Sequence, residues 1–194
     1  MSLAISAPAW AGFKLAFTED KYLNIGIGLR TSFQAQGAAG GEWSKKFAAD
    51  NVRLYTNGQV LPMLAFEVNF DYSNSANHAP GSEKNRGDLT LLDGVVKFEL
   101  NEYFNIWGGQ FLPPSDRANL SGPYYLNTWA FPFVQKYPAV YAGRDRGAAF
   151  WGQIQGGKFK YQVGIFDGQD NTPKDTPLVA ARLDPSAVRH ASGR

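Results

Sequence analysis

The stretch YLNIGIGLRTSFQ, residues 22–34, alternates apolar side chains with polar or small ones. Apolar residues stand at positions 23, 25, 27, 29 and 33, and the positions between them hold Asn, Gly, Arg or Ser. Successive side chains of a β-strand point to opposite faces, so a period of two predicts a strand with one apolar and one polar face. A helix would distribute the same residues around its whole circumference.

The same alternation recurs along the chain and predicts about eight strands. After the first, they are residues 51–56, a strand that ends at residue 72, and residues 89–100, 103–111, 146–154, 159–166 and 178–183. Short turns are predicted at 57–58, 101–102 and 156–157, and long loops at 35–50, 73–88, 112–145 and 167–177. If neighbours are antiparallel, all short turns lie at one end of the sheet and all long loops at the other.

Composition restricts the class of protein. The 194 residues are 44% hydrophobic, and no run approaches the roughly eighteen apolar residues of an ordinary transmembrane helix. The chain has no Cys, which excludes disulfides and thiolate metal sites. The net charge of +2 comes from scattered cations and gives no indication of nucleic-acid binding.

The sequence also lacks catalytic motifs. His78 and His190 have no metal-ligand partner at helical or strand spacing. Neither a G-x-S-x-G motif nor a P-loop occurs. We therefore predict that the protein is not an enzyme and needs no cofactor.

The two ends of the chain differ from the strand pattern. The segment SLAISAPAWA, residues 2–11, ends in an A-x-A sequence, so residues 1–11 are predicted to be the remnant of a secretory signal that lacks its positive n-region. Residues 12–183 then form the strand domain. The last residues, 184–194, lose the alternation and are predicted to be an irregular tail.

Amphipathic strands suit two architectures. In a soluble sandwich the apolar face points into a core, whereas in a membrane barrel it meets lipid and the polar face lines an aqueous lumen. Three features favour the barrel: aromatics near strand ends, charges of both signs at mid-strand, and the secretory remnant. The alternative is an exported β-sandwich that binds carbohydrate through the aromatic residues around Trp129.

Two segments resemble the phosphate-selective porin O and P family of Gram-negative outer membranes. They are DGVVKFELNEYFNIWGGQFLPP, residues 93–114, and GRDRGAAFWGQIQGGKFKYQVGIFDG, residues 143–168, with G-Q-F-x-P-P followed by G-R-D-x-G. Residues 52–72 resemble the family's preceding hairpin, and the resemblance extends from residue 23 to about 183. It implies an all-β, antiparallel up-and-down transmembrane barrel of sixteen strands, of which this chain supplies about eight, the N-terminal half.

The resemblance further implies a homotrimer at full length, in outer-membrane lipid, that conducts anions or other small solutes. The loop 112–145 would narrow the pore. Cations predicted to line the pore or its constriction are Arg30, Arg53, Lys97, Arg117, Lys136, Arg144, Arg146 and Lys160.

The charges of this predicted lining leave its selectivity open. A fixed guanidinium in a narrow pore favours anions, but Glu67, Asp71, Asp93 and Glu99 dilute the field. A second interpretation of Arg144 and Arg146 is that they pair with carboxylates and brace the loop. The sequence therefore predicts a passive diffusion channel, with anion or phosphate preference as a further hypothesis.

Overall fold

The computed structural model describes residues 2–37, 41–72, 89–114, 143–168 and 176–185. These ranges contain nine β-strands and no α-helix. The strands are β1 (Ser2–Thr18), β2 (Lys21–Gly37), β3 (Trp43–Leu61), β4 (Leu64–Tyr72), β5 (Leu89–Glu99), β6 (Asn105–Phe111), β7 (Asp145–Ile154), β8 (Phe159–Phe166) and β9 (Leu178–Pro185).

All nine strands form one sheet in sequence order, and every neighbouring pair is antiparallel. The prediction of an all-β antiparallel fold is confirmed. Such an up-and-down order lets each amphipathic strand find its partner next to it in the chain. In the described part of the chain, β1 and β9 are the outer strands of the sheet.

The first strand includes most of the range predicted to be a signal remnant. β1 pairs with β2 from Ser2 opposite Gln36 to Thr18 opposite Lys21. Cleavage in this region stays a prediction. At the other end, β9 includes Asp184 and Pro185, so the predicted irregular tail begins inside a strand, and residues 186–194 lie outside the described residues.

The prediction of a long loop at residues 35–50 is wrong, because β2 extends to Gly37 and β3 begins at Trp43. A β-bulge between Arg30 and Thr31 inserts Asp50 as an extra residue on β3. Beyond the bulge the strands still pair, and the rings of Phe33 and Phe47 lie 4.9 Å apart. The extra residue shifts the alternation by one position, which conceals the strand in the sequence.

The tight turn predicted at residues 57–58 is also wrong, since these residues lie inside β3 and the turn is at Pro62 and Met63. Gly58 faces Phe66 across the pair, and a Cβ on Gly58 would lie only 2.9 Å from that ring. The Asn57 side chain accepts a hydrogen bond of 2.9 Å from Asn24. These two residues therefore serve packing between strands, not chain reversal.

Short connections gather at one end of the sheet. They are residues 19–20, 62–63, 100–104 and 155–158, whereas the other end carries residues 38–42, 73–88, 112–144 and 167–177. In the third short connection, the Asn101 carboxamide oxygen accepts hydrogen bonds of 2.9 Å from the backbone N–H groups of Tyr103 and Phe104. Positive φ at Gln155, Gly156 and Gly157 closes the fourth. The predicted one-sided placement of turns is therefore present, with the exception of the short connection 38–42.

A second β-bulge preserves the faces of β4 and β5. Asn69 lies opposite Asp93 and Phe70 opposite Leu91, so Leu92 is an extra residue on β5. The Gln110 side chain donates to the carbonyl oxygens of Leu91 and Leu92, at 3.0 and 2.9 Å. Gln110 thus satisfies backbone acceptors at the point where the bulge disrupts the ladder.

The register of β3 and β4 can be tested by disulfide trapping, because the chain has no native Cys. We expect a Thr56→Cys/Val68→Cys double variant to form an intramolecular disulfide on oxidation, since these residues are directly opposite each other. Mass spectrometry of the oxidised protein provides the measurement. Thr56→Cys/Gln59→Cys is the control: it would cross-link only if the turn lay at residues 57–58.

Candidate pore-lining face

The strand register divides the side chains of the sheet into two faces. Residues directly opposite each other in neighbouring strands share a face, so Arg53 shares one with Asp71, and Asn69 with Asp93. We call this side the polar face. The other side, which carries Leu54 and Phe70 of the same strands, is the apolar face.

Burial on the two faces is the reverse of that in a soluble sheet. Buried polar residues on the polar side are Arg30, Ser32, Arg53, Asn69, Asp71, Asp93, Asn105, Arg144 and Asp145. Large exposed residues of the apolar face are Phe13, Leu15, Ile27, Leu29, Leu54, Val96, Phe98, Phe150, Val163, Ile165, Val179 and Leu183. Arg53 is 5% exposed and Ile165 is 60% exposed, so the charged side of the sheet is the enclosed one.

A small apolar cluster interrupts the polar face near the long-connection end. It consists of Val95, Phe111, Ala149 and Phe166, and the rings of Phe111 and Phe166 pack edge to face at 5.3 Å. Trp107 packs against the cluster. The interior side is therefore not uniformly polar, and the cluster separates the charges of β2–β5 from those of β8 and β9.

One ionic network links β4, β5 and the residue that precedes β7. Arg144 binds Asp93 through two nitrogens, at 3.0 and 3.2 Å, and each side chain is only 9% exposed. The Asn69 amide donates to both Asp93 and Glu67, at 2.9 and 2.7 Å. Lys97 completes the network with a contact of 2.6 Å to Glu67. The network attaches the end of the long connection 112–144 to the sheet.

A second ion pair lies one strand away. Arg53 donates to Asp71 at 3.1 Å, and its guanidinium carbon lies 5.9 Å from the centre of the Tyr55 ring. Directly opposite Arg53 and Tyr55 on β2 are Gly28 and Gly26. Small residues at these two positions leave space on the enclosed face for the large side chains of β3.

The predicted site residues occupy different places. Register puts Arg30, Arg53, Lys97 and Lys160 on the polar face, and Arg144 lies against it through Asp93. Arg117, Lys136 and the aromatic stretch around Trp129 lie outside the described residues.

Arg146 is placed on the opposite side from the other described cations of the predicted lining. It faces Gln110, to which its Nε donates at 3.4 Å, and it is exposed on the side of Ala148 and Phe150. We therefore leave Arg146 out of the candidate lining. Arg146 and Phe150 are four residues apart in one strand, so the alternation within residues 146–154 places them on the same face.

The buried Asp145 carboxylate binds backbone groups. Its carboxylate accepts hydrogen bonds from the backbone N–H groups of Arg146 and Gly168, at 2.8 and 3.0 Å. Asp145 thus ties the start of β7 to the residues after β8. Arg144 does pair with a carboxylate and brace the end of the loop, as the second interpretation proposed. Its partner is Asp93, 51 residues away in sequence, and not the adjacent Asp145.

Three side chains of the polar face were missed by the sequence predictions. Trp107 and Trp151 have their rings 5.6 Å apart, and the Lys97 ammonium lies 4.5 Å from the centre of the Trp107 ring. Arg182 lies opposite Gln162 on β8 and binds Asp184 at 2.9 Å. The alternation of residues 178–183 places Arg182 on the polar side, so the signal for this residue was present in the sequence.

Comparisons with known proteins add no relative. A scan against protein-family models and searches of curated proteins and of solved structures found no match to this chain. The resemblance to the phosphate-selective porins therefore stays a prediction. Within the described ranges, no helix is long and apolar enough to cross a membrane, and no cluster of three or more His, Asp or Glu side chains could hold a metal ion.

The buried Arg144–Asp93 pair should matter far more to stability than the exposed Arg182–Asp184 pair. Asp93→Ala leaves a buried guanidinium without its carboxylate, and we expect it to lower the free energy of unfolding by about 3 kcal/mol. The control Asp184→Ala, at a carboxylate 48% exposed, should cost less than about 1 kcal/mol. Urea unfolding in detergent compares the two, and equal losses would contradict the burial of the first pair.

Proposed function

We propose that this chain forms part of the wall of an outer-membrane β-barrel porin, a passive diffusion channel for small solutes. The observation that carries the proposal is the inverted burial of the sheet, with ion pairs on the enclosed side and large apolar side chains on the exposed side. Exposing a large apolar side chain to water costs about 1.5–3 kcal/mol relative to burying it. A hydrocarbon environment removes that cost for the whole face.

The arrangement of strands supports the same proposal. An up-and-down sheet in sequence order, with short connections at one end and longer ones at the other, is the architecture of outer-membrane barrels. Aromatic residues of the exposed side near the short-connection end, such as Tyr103, Phe104 and Phe159, suit a membrane interface. The outer-membrane location and a homotrimeric assembly at full length belong to the proposal.

The alternative of a soluble carbohydrate-binding sandwich is less well supported. A sandwich needs a second sheet over the apolar face. The nine described strands all belong to one sheet, and residues such as Val163 and Val179 are exposed on it. We therefore favour the channel.

The charges of the polar face favour weak selectivity. Four cations of the described residues, Arg53, Lys97, Arg144 and Arg182, each bind a carboxylate within 3.1 Å. Pairing of this kind cancels most of the field that a solute would feel at a distance. We propose a general diffusion pore with a modest preference for anions, to which Lys160 contributes.

Full-length protein reconstituted in planar bilayers should conduct ions, and the reversal potential in a KCl gradient should indicate a modest anion preference. Lys160→Gln should lower the anion-to-cation permeability ratio by roughly twofold, because it removes a fixed cation from the polar face. Arg146→Gln should leave the ratio unchanged, since Arg146 lies on the other face. Absence of conductance from correctly folded protein would rule out the channel.

The assignment of the apolar face to lipid is tested by two substitutions at adjacent positions. Val163→Lys places a charge on the exposed apolar face and should impair folding into vesicles by about 2–4 kcal/mol if the residue lies near the bilayer midplane. Gln162→Lys, on the polar face, should fold nearly as well as the wild type. Folding is followed by the heat-dependent shift in gel mobility, and the opposite order, or solubility of the wild type without detergent, would contradict the proposal.

A further inference from the structure

The polar face contains an open groove at β7, β8 and β9, with a volume of about 280 Å³. We call it the β7–β9 groove. Its lining includes Trp107, Trp151, Lys160, Gln162, Arg182 and Asp184. Trp151, Gln162 and Arg182 form one row across the three strands, and Lys160 and Asp184 belong to the next row.

The groove combines two aromatic side chains, whose rings are inclined at 67° to each other, with a small excess of positive charge. The ring of Trp107 makes a tilted contact with Trp151, and the lining surface is mostly apolar. Arg182 binds Asp184, which leaves the charge of Lys160 in excess within the lining. Aromatic side chains offer packing area to a planar ring, and a net charge of this sign favours a monoanion.

We propose that the β7–β9 groove binds a small aromatic monocarboxylate, with benzoate as the simplest example. The ring of the ligand packs against Trp151 and Trp107, and its carboxylate accepts hydrogen bonds from Lys160 and Arg182. The volume lies near the lower end of the range for small-molecule pockets, which suits a ligand with a single ring. A role for the groove as a solute subsite in permeation rests on the proposed channel, whereas the binding itself does not.

Other solutes fit the groove less well. A sugar presents many hydroxyl groups, whereas the lining surface is mostly apolar, so a sugar would leave many of these groups without a hydrogen-bond partner. Phosphate has no apolar surface, so it gains nothing from the aromatic side chains of the groove. A planar ring with one carboxylate uses both parts of the lining.

Isothermal titration calorimetry of the full chain in detergent, with sodium benzoate as the ligand, tests the proposal. We expect saturable binding that Lys160→Gln weakens by about tenfold, through loss of a charged hydrogen bond. Trp151→Leu should weaken it by a similar factor through loss of the aromatic contact. Lys158→Gln is the matched control, since Lys158 is an exposed lysine of the β7–β8 turn, and binding should stay within about twofold of the wild type.

The ligand series decides the chemistry of the site. Glucuronate, which has the charge without the planar ring, and phosphate should each bind at least about tenfold more weakly than benzoate. Equal affinity for benzoate and either of them would overturn the proposal, as would equal effects of Lys160→Gln and Lys158→Gln. Near-ultraviolet circular dichroism checks the folding of each variant. If Trp151→Leu misfolds, the variant of the exposed Lys160, Lys160→Gln, alone is sufficient to decide.

Failure of this proposal is distinguishable from failure of the channel. Binding in detergent requires no conductance, and KCl conductance requires no benzoate. A conducting protein without benzoate binding overturns only the groove. A protein that binds benzoate but does not conduct overturns the channel and, with it, the role of the groove in permeation.

Discussion

In an antiparallel sheet, the register of each strand decides which of its two side-chain faces lies on which side of the sheet. A slip of one residue reverses that choice for the whole strand. Here the choice is kept across irregular strands by bulges at Asp50 and Leu92. If Leu92 were not extra, Thr90 would move to the apolar face and Leu91 to the polar one. The bulge, with Gln110 on its carbonyl oxygens, therefore protects the separation of faces on which the rest of the structure depends.

Because the faces are kept, charges from separate strands meet on one side. The network from Lys97 through Glu67 and Asn69 to Asp93 and Arg144 needs β4 and β5 in their observed register. Burying an isolated charge costs free energy, and pairing with an opposite charge on the same face offsets that cost. The result is a polar face that is rich in charge yet nearly balanced, and the network fixes the end of the long connection before β7. This balance is the physical reason for proposing a weakly selective pore.

The polar face also changes character along the sheet. Strands β3 to β5 carry most of the paired charges, whereas β6 to β9 carry most of an apolar cluster, two tryptophans, Lys160 and the Arg182–Asp184 pair. The two tryptophans lie on the polar face, where a strict alternation of polar and apolar faces would place only polar residues. A solute that moves along this face would meet ionic and aromatic surfaces in different places, and the groove at β7–β9 is where both are within reach of one small molecule.

The sequence determined the strand type and the order of faces, because a period of two is a local property that each strand carries by itself. It also located two of the four short connections, at residues 100–104 and 155–158. Leu54 and Arg53, or Val163 and Gln162, were placed on their faces by counting alone. Asn57 and Gly58 led to a wrong prediction, because Asn-Gly is typical of tight turns. In the structure Gly58 instead lies inside a strand, where the absence of a side chain makes room for Phe66. The strand at residues 43–50 was concealed by the extra Asp50, whose effect depends on the partner strand. Tertiary structure alone decided that Arg144 binds Asp93, 51 residues away in sequence, and that Trp107 and Trp151 share a groove with Arg182. Contacts of this kind depend on register between distant strands, which no local pattern encodes.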